Sequence, residues 1–324
     1  MQSGQDVYGL DGRTQIGYSR TQYWYGKMRI LISGAAGLLG SALTRALRAE
    51  GDEPVALVRR PARSGEVQWD PKQPLDPAKL ADCDAVVHLA GKNIAGLWTQ
   101  KFKQEVLESR VGGTRTLATA AAESYRQSGK PQVFVSASGM SYYGDRGDEL
   151  LTEESSAGRG FLADVVKEWE AATAAASEAG VRVVNLRIGV VLARDGGALK
   201  PMLTPFRLGL GGRVGSGKQY WSWIALDDVI GAMMFALKNE SLRGPVNIVG
   251  PAPVRNAEFV RALGRELHRP AIFPLPEFAV RALLGEMGQE LLLTSARVLP
   301  AKLNAAGYRF RYTQLPDALH AALG

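Results

Sequence analysis

The sequence predicts an α/β fold, a doubly wound parallel sheet followed by a smaller C-terminal α+β region that carries the substrate side. Three observations predict it. From Met28 onward, short apolar runs alternate with helical stretches, the βαβα succession that builds a parallel sheet. The run Ala85–Ala90 is apolar but for His88, as expected of a strand covered on both faces. Gly34, Gly37 and Gly40 fall between the first strand and the first helix, where a tight turn must bring one onto the other.

The elements follow in order. Met28–Ser33 is a strand ending in small residues, and Leu38–Glu50 a helix with Leu39, Leu43, Ala46 and Leu47 on one side. Pro54–Val58 and Ala85–Ala90 are strands, and a long helix runs from about Trp98 to Tyr125. Val133–Ser136 is a strand, Phe161–Ala179 an Ala-rich helix stopped by Gly180, and Val181–Ile188 a further strand. The rhythm then breaks. The segment Gly196–Gly217, rich in Gly and Pro, reads as loops around a short helix. Beyond it lie a helix at Leu226–Leu237, a strand at Val246–Val249, and helices near Asn256–Leu267 and Phe278–Leu284. The expected division is a leader at 1–27 outside the fold, a nucleotide-binding domain at 28–190 and a mixed substrate or lid region at 191–324.

Composition narrows the function. The 324 residues are 46% hydrophobic and 22% charged, which is ordinary for a globular protein. The formal charge of +7 is spread along the chain, and no nucleic-acid-reading motif is present, so phosphate pockets explain it better than nucleic acid does. A single cysteine, Cys83, rules out an internal disulfide and fits a reducing, cytoplasmic setting. No apolar stretch is long enough for a membrane helix. No spaced His/Cys cluster suggests a metal.

The glycine turn carries the chemistry. In Gly34-Ala35-Ala36-Gly37-Leu38-Leu39-Gly40, Gly34 permits the turn, Gly37 lets backbone amides approach a diphosphate, and Gly40 lets the helix pack on the sheet. The helix N-terminus adds free N–H donors and a positive dipole end. The cofactor is decided on the second strand. Enzymes that use NAD place an acidic residue about 20 residues beyond the turn, against the ribose hydroxyls. Here Arg59-Arg60 occupies that strand end, and guanidinium groups suit the 2′-phosphate of NADP(H).

These residues resemble extended short-chain dehydrogenases/reductases: the turn Gly34–Gly40, Asp84-Ala-Val-Val-His88-Leu-Ala-Gly91, Ser136-Ala-Ser138 and Tyr142-Tyr143-Gly144. More narrowly, the chain is similar to an atypical, NAD(P)-dependent epimerase-like branch. Leu89-Ala-Gly-Lys-Asn-Ile94, Ser109-Arg-Val-Gly-Gly-Thr114, Arg187–Leu192 and Gly196-Gly-Ala-Leu199 carry that likeness. So do Gly244-Pro-Val-Asn247 and the stretch Ala301–Phe310, which resemble the branch's characteristic C-terminal module. The resemblance implies a Rossmann-type sheet and NADP(H), held by Gly34, Ala36, Gly37, Leu38, Leu39, Gly40, Arg59, Arg60, Leu89, Ala90, Gly91, Ser136, Lys167 and Arg187.

The resemblance also implies a catalytic Ser, Tyr and Lys, with Tyr four residues before Lys on one helix face. Ser138 stands where the Ser belongs and Lys167 where the Lys belongs, but position 163 is Ala. The usual proton donor is therefore missing. Tyr142 and Tyr143, in the loop after Ser138, either replace it or pack as filler. The site residues for chemistry are thus Ser138, Tyr142, Tyr143 and Lys167. His88 reads as a buried structural residue. Tyr220 and Trp221 stack on a planar substrate or fill a junction.

Three functions fit. The first is an NADP(H)-dependent oxidoreductase on a small carbonyl or sugar-type substrate. The second is a non-catalytic NADP(H)-binding redox sensor or scaffold, suggested by Ala163. The third is a nucleotide-sugar-type epimerase. The partner is a small molecule rather than nucleic acid or membrane, and the assembly a monomer or homodimer.

Overall fold

A computed structural model describes residues 26–324, so almost all of the expected leader lies outside the described residues. The first half runs β1 (Arg29–Ser33), α1 (Leu38–Ala49), β2 (Glu53–Val58), β3 (Glu66–Gln68), β4 (Ala85–His88), α2 (Gln100–Ser128), β5 (Val133–Gly139), β6 (Leu150–Leu151), α3 (Phe161–Ala171), α4 (Ala174–Glu178) and β7 (Arg182–Ile188). The second half runs β8 (Val190–Ala193), β9 (Gly196–Gly197), α5 (Leu199–Arg207), β10 (Tyr220–Trp221), β11 (Trp223–Ala225), α6 (Leu226–Lys238), β12 (Gly244–Ile248), β13 (Val254–Arg255), α7 (Asn256–Glu266), α8 (Glu277–Gly288), β14 (Arg297–Val298), α9 (Ala301–Ala305) and α10 (Leu315–Leu323).

Seven strands form one sheet in the order β12-β7-β5-β4-β1-β2-β3. Every pairing in it is parallel. Alternation along each strand feeds two cores. Ile30 and Ile32 of β1, Val87 of β4 and Val135 of β5 face α1 and α6, whereas Leu31, Val86 and Phe134 face α2 and α4. The chain order reverses direction between β1 and β4, and the crevice at that switch point is where open α/β sheets bind ligands.

The chain beyond residue 190 contributes to the main sheet as well. The segment α6–β12 returns to the sheet, with Val229, Met233, Val246 and Ile248 in the same core as β1. Val246 and Ile248 share one apolar face of β12, and the sheet edge buries it. The C-terminal region is therefore interleaved with the first. Its own core gathers Leu199, Leu203, Trp221, Trp223, Phe259 and Leu319. The single helix expected at 161–179 is broken into α3 and α4 around Ala172-Thr173.

His88, at the end of β4, is fully buried. Ser33 Oγ accepts amide N–H groups from Leu89 (3.2 Å) and Ala90 (3.4 Å), so its own proton goes to His88 Nδ1, 2.5 Å away. Nε2 then carries the ring proton, and it has no partner among the described residues. Burial holds the imidazole pKa down to about 4, from an ordinary 6.5. Between those values the unfolded chain binds a proton that the folded chain refuses, so His88 erodes stability as pH falls from 6.5 to 4. Each pH unit in that window should remove about 1.4 kcal/mol. Denaturation in urea across that pH range should show the slope in the wild type and a shallower one in His88→Gln. Parallel slopes would exclude His88 as the cause.

Candidate functional site

The turn after β1 is built so that no side chain intrudes. Gly34 has φ +72°, and a Cβ there would lie 2.8 Å from the Leu89 carbonyl carbon and 2.9 Å from the Ala90 nitrogen. The β1 turn and the β4 turn thus touch backbone to backbone. A Cβ on Gly40 would lie 2.2 Å from the Gly34 carbonyl oxygen, so the first turn of α1 sits directly on the loop. Gly37 N–H donates to Gly34 O (2.9 Å) and closes the turn. No side chain caps α1 and no acidic residue lies in its first turn. Ala36 and Gly37 are exposed. The amides at this end are therefore open to an anion, with the helix dipole behind them.

At the adjoining end of β2, Arg59 is exposed and makes no hydrogen bond or ion pair among the described residues. It borders a 570 Å³ depression also lined by Trp69, Lys72 and Lys79. Arg60 is engaged differently. Its guanidinium grips Glu66 through two bonds of 2.7 Å, which holds the Glu66 carboxyl down to about 2.

A second group of polar side chains lies beyond β5. The Ser138 hydroxyl donates to Glu170 Oε1 on α3 at 2.7 Å. Arg187 of β7 donates to both oxygens of Glu170, each at 2.8 Å. It also donates to the Tyr143 hydroxyl at 3.1 Å, which in turn donates to Asn247 Oδ1 of β12 at 2.7 Å. The guanidinium lies 3.4 Å from the centre of the Tyr142 ring. Arg187 and Glu170 are only 3% and 13% exposed, so each neutralises a charge the interior would otherwise reject. Burial opposes the Arg187 charge, but the Glu170 bonds outweigh it and leave the pKa above the ordinary arginine value. Burial raises the Tyr143 pKa above that of a free phenol, against the pull of Arg187.

Comparison with known proteins places this arrangement. Residues 30–249 match the NAD dependent epimerase/dehydratase family. The chain belongs to that family. Residues 275–322 match a further domain of unknown function, DUF1731. Epimerase family protein Mb2239 of Mycobacterium bovis is 45% identical over 293 residues, covering 90% of this chain and 96% of that protein. The crystal structure of the human epimerase family protein SDR39U1 (isoform 2) with NADPH has 37% identity and a TM-score of 0.83, covering 91% of this chain and 99% of that one. A Corynebacterium glutamicum nucleoside-diphosphate sugar epimerase has 37% identity and a TM-score of 0.78, covering 94% of this chain and 59% of that longer chain.

For an epimerase-family chain, the site residues expected from sequence divide into two groups. Gly34, Ala36, Gly37, Leu38, Leu39, Gly40, Leu89, Ala90 and Gly91 come together along the β1–β4 crevice, with Arg59 at its β2 end. Ser138 and Tyr142 meet through Arg187 and Glu170. Others are placed elsewhere. The Ser136 side chain is fully buried and bonded to Ala137 O, so it does not reach the crevice. Arg187 is occupied by Glu170, and Arg60 by Glu66. Tyr143 is fully buried. Lys167 is exposed and paired with Asp164 at 2.6 Å, because the α3 face toward β5 carries Val166 and Glu170 instead. Sequence reasoning missed Glu170 and Asn247. Glu170 is one of three acids on α3, with Asp164 and Glu168, and nothing local singles it out or pairs it with a strand arginine.

Proposed function

We propose that this chain is an NADP(H)-binding oxidoreductase that acts on a small carbonyl- or sugar-type substrate. One observation carries the reading: an uncapped helix N-terminus, on a turn packed too closely for a Cβ at Gly34 or Gly40, shares its end of the sheet with Arg59, which has no partner among the described residues. In this reading the amides of residues 36–39 hold the diphosphate, and Arg59 takes the 2′-phosphate. Bound there, the nicotinamide supplies or accepts a hydride. Ser138 holds the reacting oxygen. Its proton is directed at Glu170, so it offers lone pairs to a substrate hydroxyl. Tyr142, partly buried beneath Arg187, is the phenol able to exchange a proton, since the Tyr143 hydroxyl is spent on Asn247.

Calorimetry with NADPH and NADH tests the cofactor half. NADPH should bind more tightly, and Arg59→Ala should weaken NADPH by about 10- to 100-fold, the worth of a charged hydrogen bond, and spare NADH. Equal losses for both dinucleotides would remove Arg59 from the 2′-phosphate. For the chemical half, NADPH consumption is followed over a panel of carbonyl compounds. Ser138→Ala and Tyr142→Phe should each slow turnover about 100-fold or more with binding intact.

A second reading has its own support: Ala163 is buried where the usual tyrosine would stand, and Lys167 faces solvent. A non-catalytic NADP(H) sensor would show tight NADPH binding, no turnover on any panel member, and a partner that discriminates between NADPH and NADP⁺.

A further inference from the structure

The α2 segment Ser109–Thr114 presents one residue that the protein itself does not satisfy. Ser109 Oγ accepts the Lys92 N–H at 3.1 Å and donates to Val106 O at 2.9 Å, which fastens the loop after β4 to the helix. Thr114 Oγ1 accepts the Trp169 indole N–H at 2.9 Å and ties α2 to α3. Gly113 leaves room for the His88 and Trp69 rings. Arg110 remains. Its guanidinium lies 5.1 Å from the centre of the Trp169 ring, and its one hydrogen bond is a long 3.3 Å contact to Val106 O. It has no carboxylate partner among the described residues.

The two buried arginines, Arg182 and Arg187, are treated differently. Arg182 donates to three backbone carbonyls, of Ala236, Leu237 and Leu242, and Arg187 has Glu170. Desolvation lowers the Arg110 pKa to about 10 with nothing opposing it, yet the group stays charged at neutral pH. Its remaining donors are not sealed in the interior, so they are free to take a ligand. Its position says where that ligand comes from. A Cβ on exposed Gly91 would lie 3.6 Å from the Arg110 Cζ, so the guanidinium adjoins the loop that lines the crevice beyond β4. Trp169 under Arg110 and Glu170 bonded to Ser138 are consecutive residues of α3, so both groups stand at the same end of the sheet.

We propose that Arg110 is an oxyanion-binding residue on the β4–β5 side of the crevice, where it receives a phosphate or carboxylate group of the bound ligand. The planar guanidinium fork matches those two groups, and Trp169 holds its plane fixed. The inference rests on the proposed dinucleotide site only for its direction: the oxyanion belongs either to the dinucleotide's diphosphate or to an acidic substrate.

The test compares wild type with Arg110→Gln, using NADPH, 2′,5′-ADP, inorganic phosphate and malonate as probes in calorimetry. If the diphosphate is the ligand, the variant loses about 10-fold or more in NADPH affinity, as for a charged hydrogen bond; 2′,5′-ADP falls with it if Arg110 meets the adenosine-side phosphate and is unchanged if it meets the nicotinamide-side one. If an acidic substrate is the ligand, NADPH affinity holds, and the NADPH-loaded wild type binds phosphate or malonate that the loaded variant does not. Either result upholds the role of Arg110. The same affinity for all four probes in both proteins overturns it. Should NADPH fail to bind the wild type, the dinucleotide reading falls by itself. Phosphate and malonate titrated into the cofactor-free proteins then decide Arg110 separately, a difference upholding it and equality overturning it. A melting temperature of unliganded Arg110→Gln at or above wild type is also expected, because an unmatched charge is removed. A marked drop would assign the residue a structural role instead.

Discussion

Gly40→Ala should abolish measurable NADPH binding and lower the melting temperature, although alanine is the better helix former. In an open helical position the exchange stabilises by roughly 0.8–1.0 kcal/mol. Gly40 is not open: the added carbon would lie 2.2 Å from Gly34 O and 2.8 Å from the Ala35 Cα, and both are backbone. No rotamer relieves such a contact, so either α1 retreats from the sheet or the turn moves. Overpacking of this kind costs about 1–3 kcal/mol, enough to reverse the propensity gain. The same displacement pulls the amides of residues 36–39 off the diphosphate, and losing two charge-assisted bonds corresponds to at least about 100-fold in affinity. Gly112→Ala is the control, since a Cβ there meets nothing within 4 Å. It should raise the melting temperature and leave NADPH binding alone. Thermal melts and calorimetry on the two variants decide the matter. A Gly40→Ala protein as stable and as avid as wild type would refute the close approach.

Glu170→Ala should be among the most destabilising single substitutions near the site. It strands the Arg187 charge, which is 3% exposed, with only the Tyr143 hydroxyl and the Tyr142 ring for company. Breaking a buried pair from one side typically costs about 3–5 kcal/mol. For a chain of this size that means a fall in melting temperature on the order of 10 °C. Replacing both partners, as Glu170→Leu with Arg187→Met, should recover most of the loss, because the interior then holds no unpaired charge. The double variant should still lack turnover, since Ser138 would have lost the acceptor for its proton. Chemical denaturation of Glu170→Leu, Arg187→Met and the double completes the cycle. A double variant less stable than either single would show that the pair stabilises beyond mutual neutralisation.

Most of the sheet was legible from the chain. Parallel strands buried on both faces read as apolar runs, and the Gly34–Gly40 spacing carries the geometry of its own turn. The crevice residues from Gly34 to Gly40 and from Leu89 to Gly91 were legible for the same reason: each is a local backbone requirement. The pairing of Glu170 with Arg187 was not, because it joins a helix and a strand through tertiary packing, and residue type alone does not choose between candidate partners. The surroundings of Lys167 were hidden by the same limit. Its position along the chain is close to that of a site lysine, but helix rotation turns it toward Asp164 and solvent. The two-residue strands β6, β9, β10, β13 and β14 had no detectable period at that length. The interleaving of α6 and β12 with the first sheet was hidden too, because their apolar character demands burial without saying against what.

The Glu290 carboxylate accepts the N–H groups of Phe161 and Leu162, 2.7 and 2.9 Å away, and so caps α3, the helix that carries Glu170. Beside it, β14 pairs with β6 across a comparable stretch of sequence. A ribosome delivers these partners long after the helix they complete. The glycine turn and its strands can assemble while synthesis is under way, whereas the cluster of Ser138, Glu170 and Arg187 waits for residues 290–298 to emerge. A nascent chain would thus complete its glycine turn before the helix that carries Glu170 was capped.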